Sequence, residues 1–286
     1  MTMSQLVQIM RTLRTMPPLP NVAHRVLQIV RDPEYSIDTL VKVVRTDPAL
    51  TSRILKLCNS SLYGLSQDIT DVGNAVAYLG MRNLVRLVLV SCTASYFKSA
   101  GNSPYGNPDE LWRHTMACAT ACQMLAEQCG YEQPATAFTA GIVHNVGKIA
   151  LAQSLDPKAL PPAVESVDSA GRPYLQIERE FLGLDHAAAG GIVTENWNLP
   201  VEIRRAVRNH HDPSRLSTDS ELTALLHVAD LLVLQLDIGV AFRDADYGIE
   251  MDALLRLHLA EEDLEPLQVN VLEELRRSTE LLNLED

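Results

Sequence analysis

Apolar residues along this chain recur at three- and four-residue spacings, and each run is closed by proline, glycine or a short polar cluster. That pattern favours a succession of amphipathic helices and leaves no period-two stretch for a strand. A first segment, roughly 4–15, stops at Pro17-Pro18-Leu19-Pro20, where proline cannot continue a helix and drives its predecessor to extended geometry. Val22, Val26, Ile29 and Val30 then share one stripe. Ser36 reads as the N-cap of a helix carrying Ile37, Leu40, Val41 and Val44. Asp47 before Pro48 repeats the device, with a capping acid and proline in the first turn, and Asn59-Ser60-Ser61 ends that helix. Asp71 opens a further helix that runs to Gly80, and Asn83 begins a long apolar one from Leu84 to about Phe97. The expected fold class is all-α, a helical bundle.

Residues 99–108, SAGNSPYGNP, form the clearest loop and suggest two packed helical subdomains, 1–100 and 108–286. In the second half, Asp109 is expected to cap a helix with Trp112, His114 and a small-residue run to Leu125. Pro134 introduces a helix that should extend to about Ala152 and contain His144. A helix over roughly 173–183 follows, and Asp185 leads into His186-Ala187-Ala188-Ala189-Gly190-Gly191, whose small residues permit close backbone approach. Pro200 starts a helix ending near His210-His211, Ser220 opens one with His227 and Asp230, and two acidic amphipathic helices finish the chain.

The formal net charge of −12 argues against nucleic acid as a partner, because non-specific binding there depends on a basic surface. Arg82, Arg86, Arg204, Arg205 and Arg208 fall at helical spacings and read as solvated faces. The five cysteines, Cys58, Cys92, Cys118, Cys122 and Cys129, form no disulfide framework and suit a reducing compartment. Cys118 and Cys122 share a helix face, where small core residues are the expected role and a metal or redox pair the sharper alternative. No uncharged apolar stretch approaches the ~20 residues that span a bilayer. A cytoplasmic protein away from the membrane is expected.

Seven of the eight histidines lie beyond residue 110. His114, His144, His186, His210 and His211 fall on or beside separate helices, with Asp230 on another. Imidazole and carboxylate ligands suit Zn, Mn, Ni or Fe, and helical bundles build such sites from facing helices. The pattern alone leaves open a metal or ligand site and a hydrogen-bonded polar core.

The segment A-G-I-V-H-N-V-G-K-I-A-L, residues 140–151, resembles the core of the HD phosphohydrolase superfamily, a histidine-aspartate pair followed by Gly-Lys. His114 in L-W-R-H-T, His186 in L-G-L-D-H-A-A-A-G, His210 and His211 in R-N-H-H, and Asp230 in H-V-A-D match further pocket positions. The first half, with M-P-P-L-P-N-V, R-T-D-P-A-L-T-S-R-I-L-K-L-C-N-S-S-L-Y-G and A-V-A-Y-L-G-M-R-N-L-V-R-L-V-L, resembles the HDOD domain family. The resemblance implies an all-helical bacterial signal-transduction module that lacks the usual HD hydrolase activity.

Asn145 stands where the HD pair has aspartate. A neutral amide cannot bridge two divalent ions well, and the repulsion between them is poorly screened in a buried site. No two-metal hydrolysis is expected, and no residue is assigned a catalytic role. One divalent ion on the histidines and Asp230 remains open, as does a phosphorylated ligand held by Lys148 and Asn145. A regulatory module binding a signalling protein or small ligand is thus weighed against a metal-dependent phosphohydrolase acting on a nucleotide or cyclic dinucleotide.

Overall fold

A computed structural model describes residues 3–30, 32, 36–59, 68–98, 105–154, 174–215, 221–239 and 248–282. Among them are fourteen α-helices and no strand. Ser60, Ser61, Ser220 and residues 99–104 of the loop lie outside the described residues.

The chain divides into two compact units. One comprises residues 19–95 and 270–286, the other 1–18 and 96–269. The change falls at Ser95–Tyr96, just before the glycine- and proline-rich loop, and the two ends of the chain each join the unit built mainly from the other half.

In the unit of 19–95, α2 (Asn21–Ile29) buries Val22, Ala23, Val26 and Leu27, and α3 (Ile37–Val44) buries Leu40, Val41, Val43 and Val44. Ser36 caps α3 by accepting from Thr39 N at 3.2 Å. Asp47 does the same for α4 (Pro48–Cys58), accepting from Leu50 N at 3.0 Å. Asn59 does more than end that helix. Its amide donates to Ile69 O and accepts from Ile69 N, tying two distant backbone segments together. The next helix, α5 (Val72–Lys98), is interrupted at Gly80, whose φ of 76° only glycine adopts without strain. By length and composition α5 is apolar enough to cross a membrane, but Leu84, Val85, Leu87, Val88 and Leu89 are buried inside the protein.

The other unit begins with α1 (Met3–Thr15) and centres on α6 (Pro108–Gln128), which packs against α7 (Pro134–Val143) and α12 (Glu221–Gln235). Asn107, and not Asp109, is the N-cap of α6, accepting from Asp109 N at 2.9 Å. Pro108 takes the first helical position, which puts Asp109 one step inside the turn. The helix expected over 135–152 is two helices, α7 and α8 (Val146–Ser154). The break falls at His144-Asn145, where the His144 ring bonds back to the Gly141 carbonyl.

α9 (Tyr174–Leu182) precedes α10 (His186–Asn196), which Asp185 caps through Ala188 N at 2.7 Å. α10 lies against α8 and α11 (Val201–Asn209). Its small residues have the expected use: a Cβ on Gly190 would come within 2.9 Å of Val207 Cγ1. α13 (Met251–Arg256) and α14 (Leu264–Leu282) complete the order. Trp197, buried after α10, donates from its indole to Pro17 O at 2.8 Å and meets the Tyr96 ring at a tilt, fixing the first helix of the unit beside α10.

Candidate metal centre

All six candidate metal ligands converge in the unit of 96–269. α6 supplies His114, the α7–α8 turn His144, the start of α10 His186, the end of α11 His210 and His211, and α12 Asp230. They form two adjoining clusters. His114, His144 and Asp230, joined by Cys118, have donor atoms within 4.8 Å of one another, and so do His186, His210 and His211. The rings of His144 and His210 meet edge-on at 5.3 Å, so the clusters share one pocket.

Neighbouring acceptors set the tautomers. His144 Nδ1–H donates to Gly141 O at 2.6 Å, and His114 Nδ1 lies 3.3 Å from Ile238 O. For His144 this leaves Nε2 as the inward-facing acceptor, the arrangement that metal-bound histidines adopt, whereas His114 presents Nε2–H to Asp230. His114 Nε2 lies 2.9 Å from Asp230 Oδ1, and His144 Nε2 lies 3.5 Å from the same oxygen. Burial lowers the His114 pKa and favours its neutral ring. Burial alone would raise the Asp230 carboxyl, but the two imidazoles facing it outweigh that and hold it well below the usual range. Asp230 thus accepts from His114, and a metal ion that takes His114 Nε2 as a ligand displaces that proton.

Two further atoms favour the metal. Asn145 Oδ1 and His210 Nε2 are buried with no hydrogen-bond partner among the described residues. A self-contained polar core would satisfy such acceptors. His210 Nδ1–H is already committed to Val207 O at 2.7 Å, so Nε2 is the acceptor left over. The donor set therefore fits a divalent ion on imidazole and carboxylate ligands.

The second cluster has its own support. Glu178 accepts from both the His186 backbone N–H and His186 Nδ1–H at 2.8 Å, and Tyr105 OH donates to its other oxygen at 2.9 Å. His186 Nε2 thus accepts from His211 Nε2–H at 2.8 Å. The sequence does not mark Glu178, because nothing in its spacing separates it from Glu180, the exposed acid of the same helix. Replacing Glu178 with alanine strands three donors in a buried site. The expected cost is about 2–4 kcal/mol, read from urea unfolding.

Asn145 is buried, and its amide donates to His144 Nε2 at 2.7 Å. Lys148, half-buried on α8, acts on the pocket at longer range, its charge helping to lower the pKa of His114, His186, His210 and His211. His227, by contrast, is structural: Nδ1–H donates to His210 O at 2.7 Å and Nε2 accepts from Glu250 N at 3.1 Å.

The HDOD domain family model matches residues 16–213. Among solved structures, an HDOD domain protein of unknown function from Geobacter sulfurreducens superposes with a TM-score of 0.73 at 22% identity, covering 98% of this chain and 96% of the other. A candidate phosphohydrolase from Shewanella amazonensis SB2B gives 0.71 at 21% identity, covering 98% of each chain. A candidate signal transduction protein from Marinobacter aquaeolei VT8 gives 0.77 at 21% identity, covering 98% of this chain and 65% of that one. At these identities the likeness is one of fold. An uncharacterized protein of Treponema pallidum is 25% identical over 200 residues, 68% of this chain. The protein YuxH of Bacillus subtilis is 26% identical over 107 residues. The chain spans 37% and 25% of the lengths of these two curated relatives.

Proposed function

The chain belongs to the HDOD domain family, and on that premise we propose that it is a signal-transduction module whose histidine pocket binds a divalent ion without hydrolysing phosphate esters. It acts inside the cell, where its cysteines stay reduced, and hands on its state to a signalling protein or takes up a phosphorylated small molecule.

The observation that carries this reading is Asn145 itself, a buried neutral amide beside His144 whose Oδ1 has no hydrogen-bond partner among the described residues. A carboxylate at that position would accept, never donate, and would add a negative charge to the lone pairs already gathered there. The amide adds no charge, and its N–H must turn away from His144 Nε2 when that lone pair takes a metal ion. Without the extra charge, two cations in one buried pocket repel each other strongly, and the activation of water between them is lost. One cation, neutralised by Asp230 and held by imidazoles, has no such opposition.

The phosphohydrolase reading has one observation in its favour: Lys148 places a cation beside an otherwise nearly complete ligand set. A phosphate bound but not cleaved uses the same charge, so Lys148 serves both readings, and Asn145 favours the first.

Metal titration tests the proposal. Chelator-stripped protein should take up one Mn(II) or Zn(II) per chain, and Asn145→Asp should admit a second. Two ions bound tightly by the native protein would overturn the one-ion reading.

A further inference from the structure

Cys118 lies on α6 one turn beyond His114, where helical geometry puts both side chains on the same face. Its Sγ is 3.4 Å from His114 Nε2 and 3.4 Å from Asp230 Oδ1. Cys122, one turn further on, points elsewhere, with its sulfur against Leu225 O at 3.8 Å. The two thiols that the sequence places on one face therefore have different surroundings, and only Cys118, whose S–H donates to Asp230, lies within 4.8 Å of the ligand atoms of His114, His144 and Asp230.

We infer that Cys118 is a thiolate ligand of a single tetrahedral zinc ion, completing a His114, Cys118, His144 and Asp230 set. This rests on the reading of the pocket as a metal-binding one. Zinc bonds of ~2.0–2.2 Å to nitrogen and oxygen and ~2.3 Å to sulfur imply tetrahedral edges of about 3.3–3.6 Å between ligand atoms. The observed separations are 3.4, 3.4 and 3.5 Å for the two sulfur contacts and the His144–Asp230 pair, with 2.9 Å for His114–Asp230. A small outward movement of the shortest pair admits the ion, the other three of these edges already match, and His144 lies within 4.8 Å of the donor atoms of His114 and Cys118.

Charge points the same way. Asn145 removes the negative charge that a carboxylate there would contribute, and the Cys118 thiolate restores one. Together with Asp230 it neutralises a divalent ion fully. Binding breaks the S–H bond, forms the Zn–S bond and releases one proton to solvent, with no change of oxidation state. A soft sulfur ligand also selects zinc over manganese or magnesium, which prefer oxygen.

Cobalt substitution provides the test, since a thiolate bonded to Co(II) gives a sulfur-to-metal charge-transfer band in the near ultraviolet. One equivalent of Co(II) added to stripped native protein should produce the band, Cys118→Ser should lose it, and Cys122→Ser should keep it. Zinc affinity of Cys118→Ser, by competition with a chromophoric chelator, should fall roughly 100-fold, about one ligand's share of a four-ligand site. Should Cys118→Ser not fold, X-ray absorption of the zinc-loaded native protein decides: one sulfur scatterer at about 2.3 Å is expected. One cobalt bound with no charge-transfer band, or a shell of nitrogen and oxygen alone, overturns the thiolate assignment and leaves metal binding intact. No metal uptake at all overturns both.

Discussion

Stripped of metal, the protein should lose several kcal/mol of stability between pH 7 and pH 5. Burial lowers the pKa of His114, His186, His210, His211 and His227, with His210 brought down to about 3. In the unfolded chain each of these rings takes up a proton near pH 6.5. Above that value neither state is protonated and pH has no leverage. Below it the unfolded chain binds protons that the folded pocket refuses, so stability falls with pH, for His210 down to about pH 3. One such histidine costs about 1.4 kcal/mol per pH unit. Each ring contributes until the pH reaches its own folded-state value, about 3 for His210. Asp230, held low in the folded state, loses its contribution in the same direction but only below the usual carboxylate range. Urea unfolding at half-unit intervals should show the midpoint dropping steeply below pH 6.5. A flat profile between pH 7 and pH 5 would mean that the imidazoles are not buried neutral.

Gly147→Ala should cost at least ~3 kcal/mol, and the chain should fold poorly at physiological temperature. A Cβ there would run into the His186 carbonyl oxygen and come within 2.6 Å of Gly190 N, both backbone atoms on α10. A flexible side chain could give way; a helix backbone cannot without moving as a whole. Gly147 follows the His144-Asn145 turn by two residues, and His186 opens the facing helix. Gly147 therefore sets how closely the two metal-ligand clusters approach. Forcing α8 from α10 should weaken metal uptake as well as stability. Gly248→Ala, where nothing lies within 4 Å of the added methyl, is the matched control and should change stability by no more than ~0.5 kcal/mol. Thermal unfolding of the two variants side by side checks the difference.

Much of this was legible in the residues. Ser36, Asp47 and Asp185 cap the helices that their neighbours' periodicity predicts, because a side-chain acceptor three residues before a free N–H is a local device. The convergence of His114, His144, His186, His210, His211 and Asp230 followed from resemblance, since spacing alone puts each on a different helix without saying which way it faces.

The missed features share a cause. The break at His144-Asn145 depends on a ring bonding back to Gly141, and α7 and α8 are apolar enough to read as one helix. Asp109 and Asn107 are both good caps, and the proline between them decides in favour of Asn107. Glu178 matters through a contact 8 residues away in sequence, to His186. No periodicity records such partners. The last helix is amphipathic, as its pattern predicts, yet pattern does not say that residues 270–286 belong with 19–95.

The central claim is that a neutral residue at 145 leaves the pocket able to bind but not to hydrolyse. Its most direct test is turnover of a chromogenic phosphodiester by the metal-saturated native protein, tried with zinc, manganese, nickel and ferrous iron. Product release should not exceed that of a metal-only blank with any of the four. Release by the native protein that disappears in Asp230→Ala would contradict the claim and make the pocket an active site.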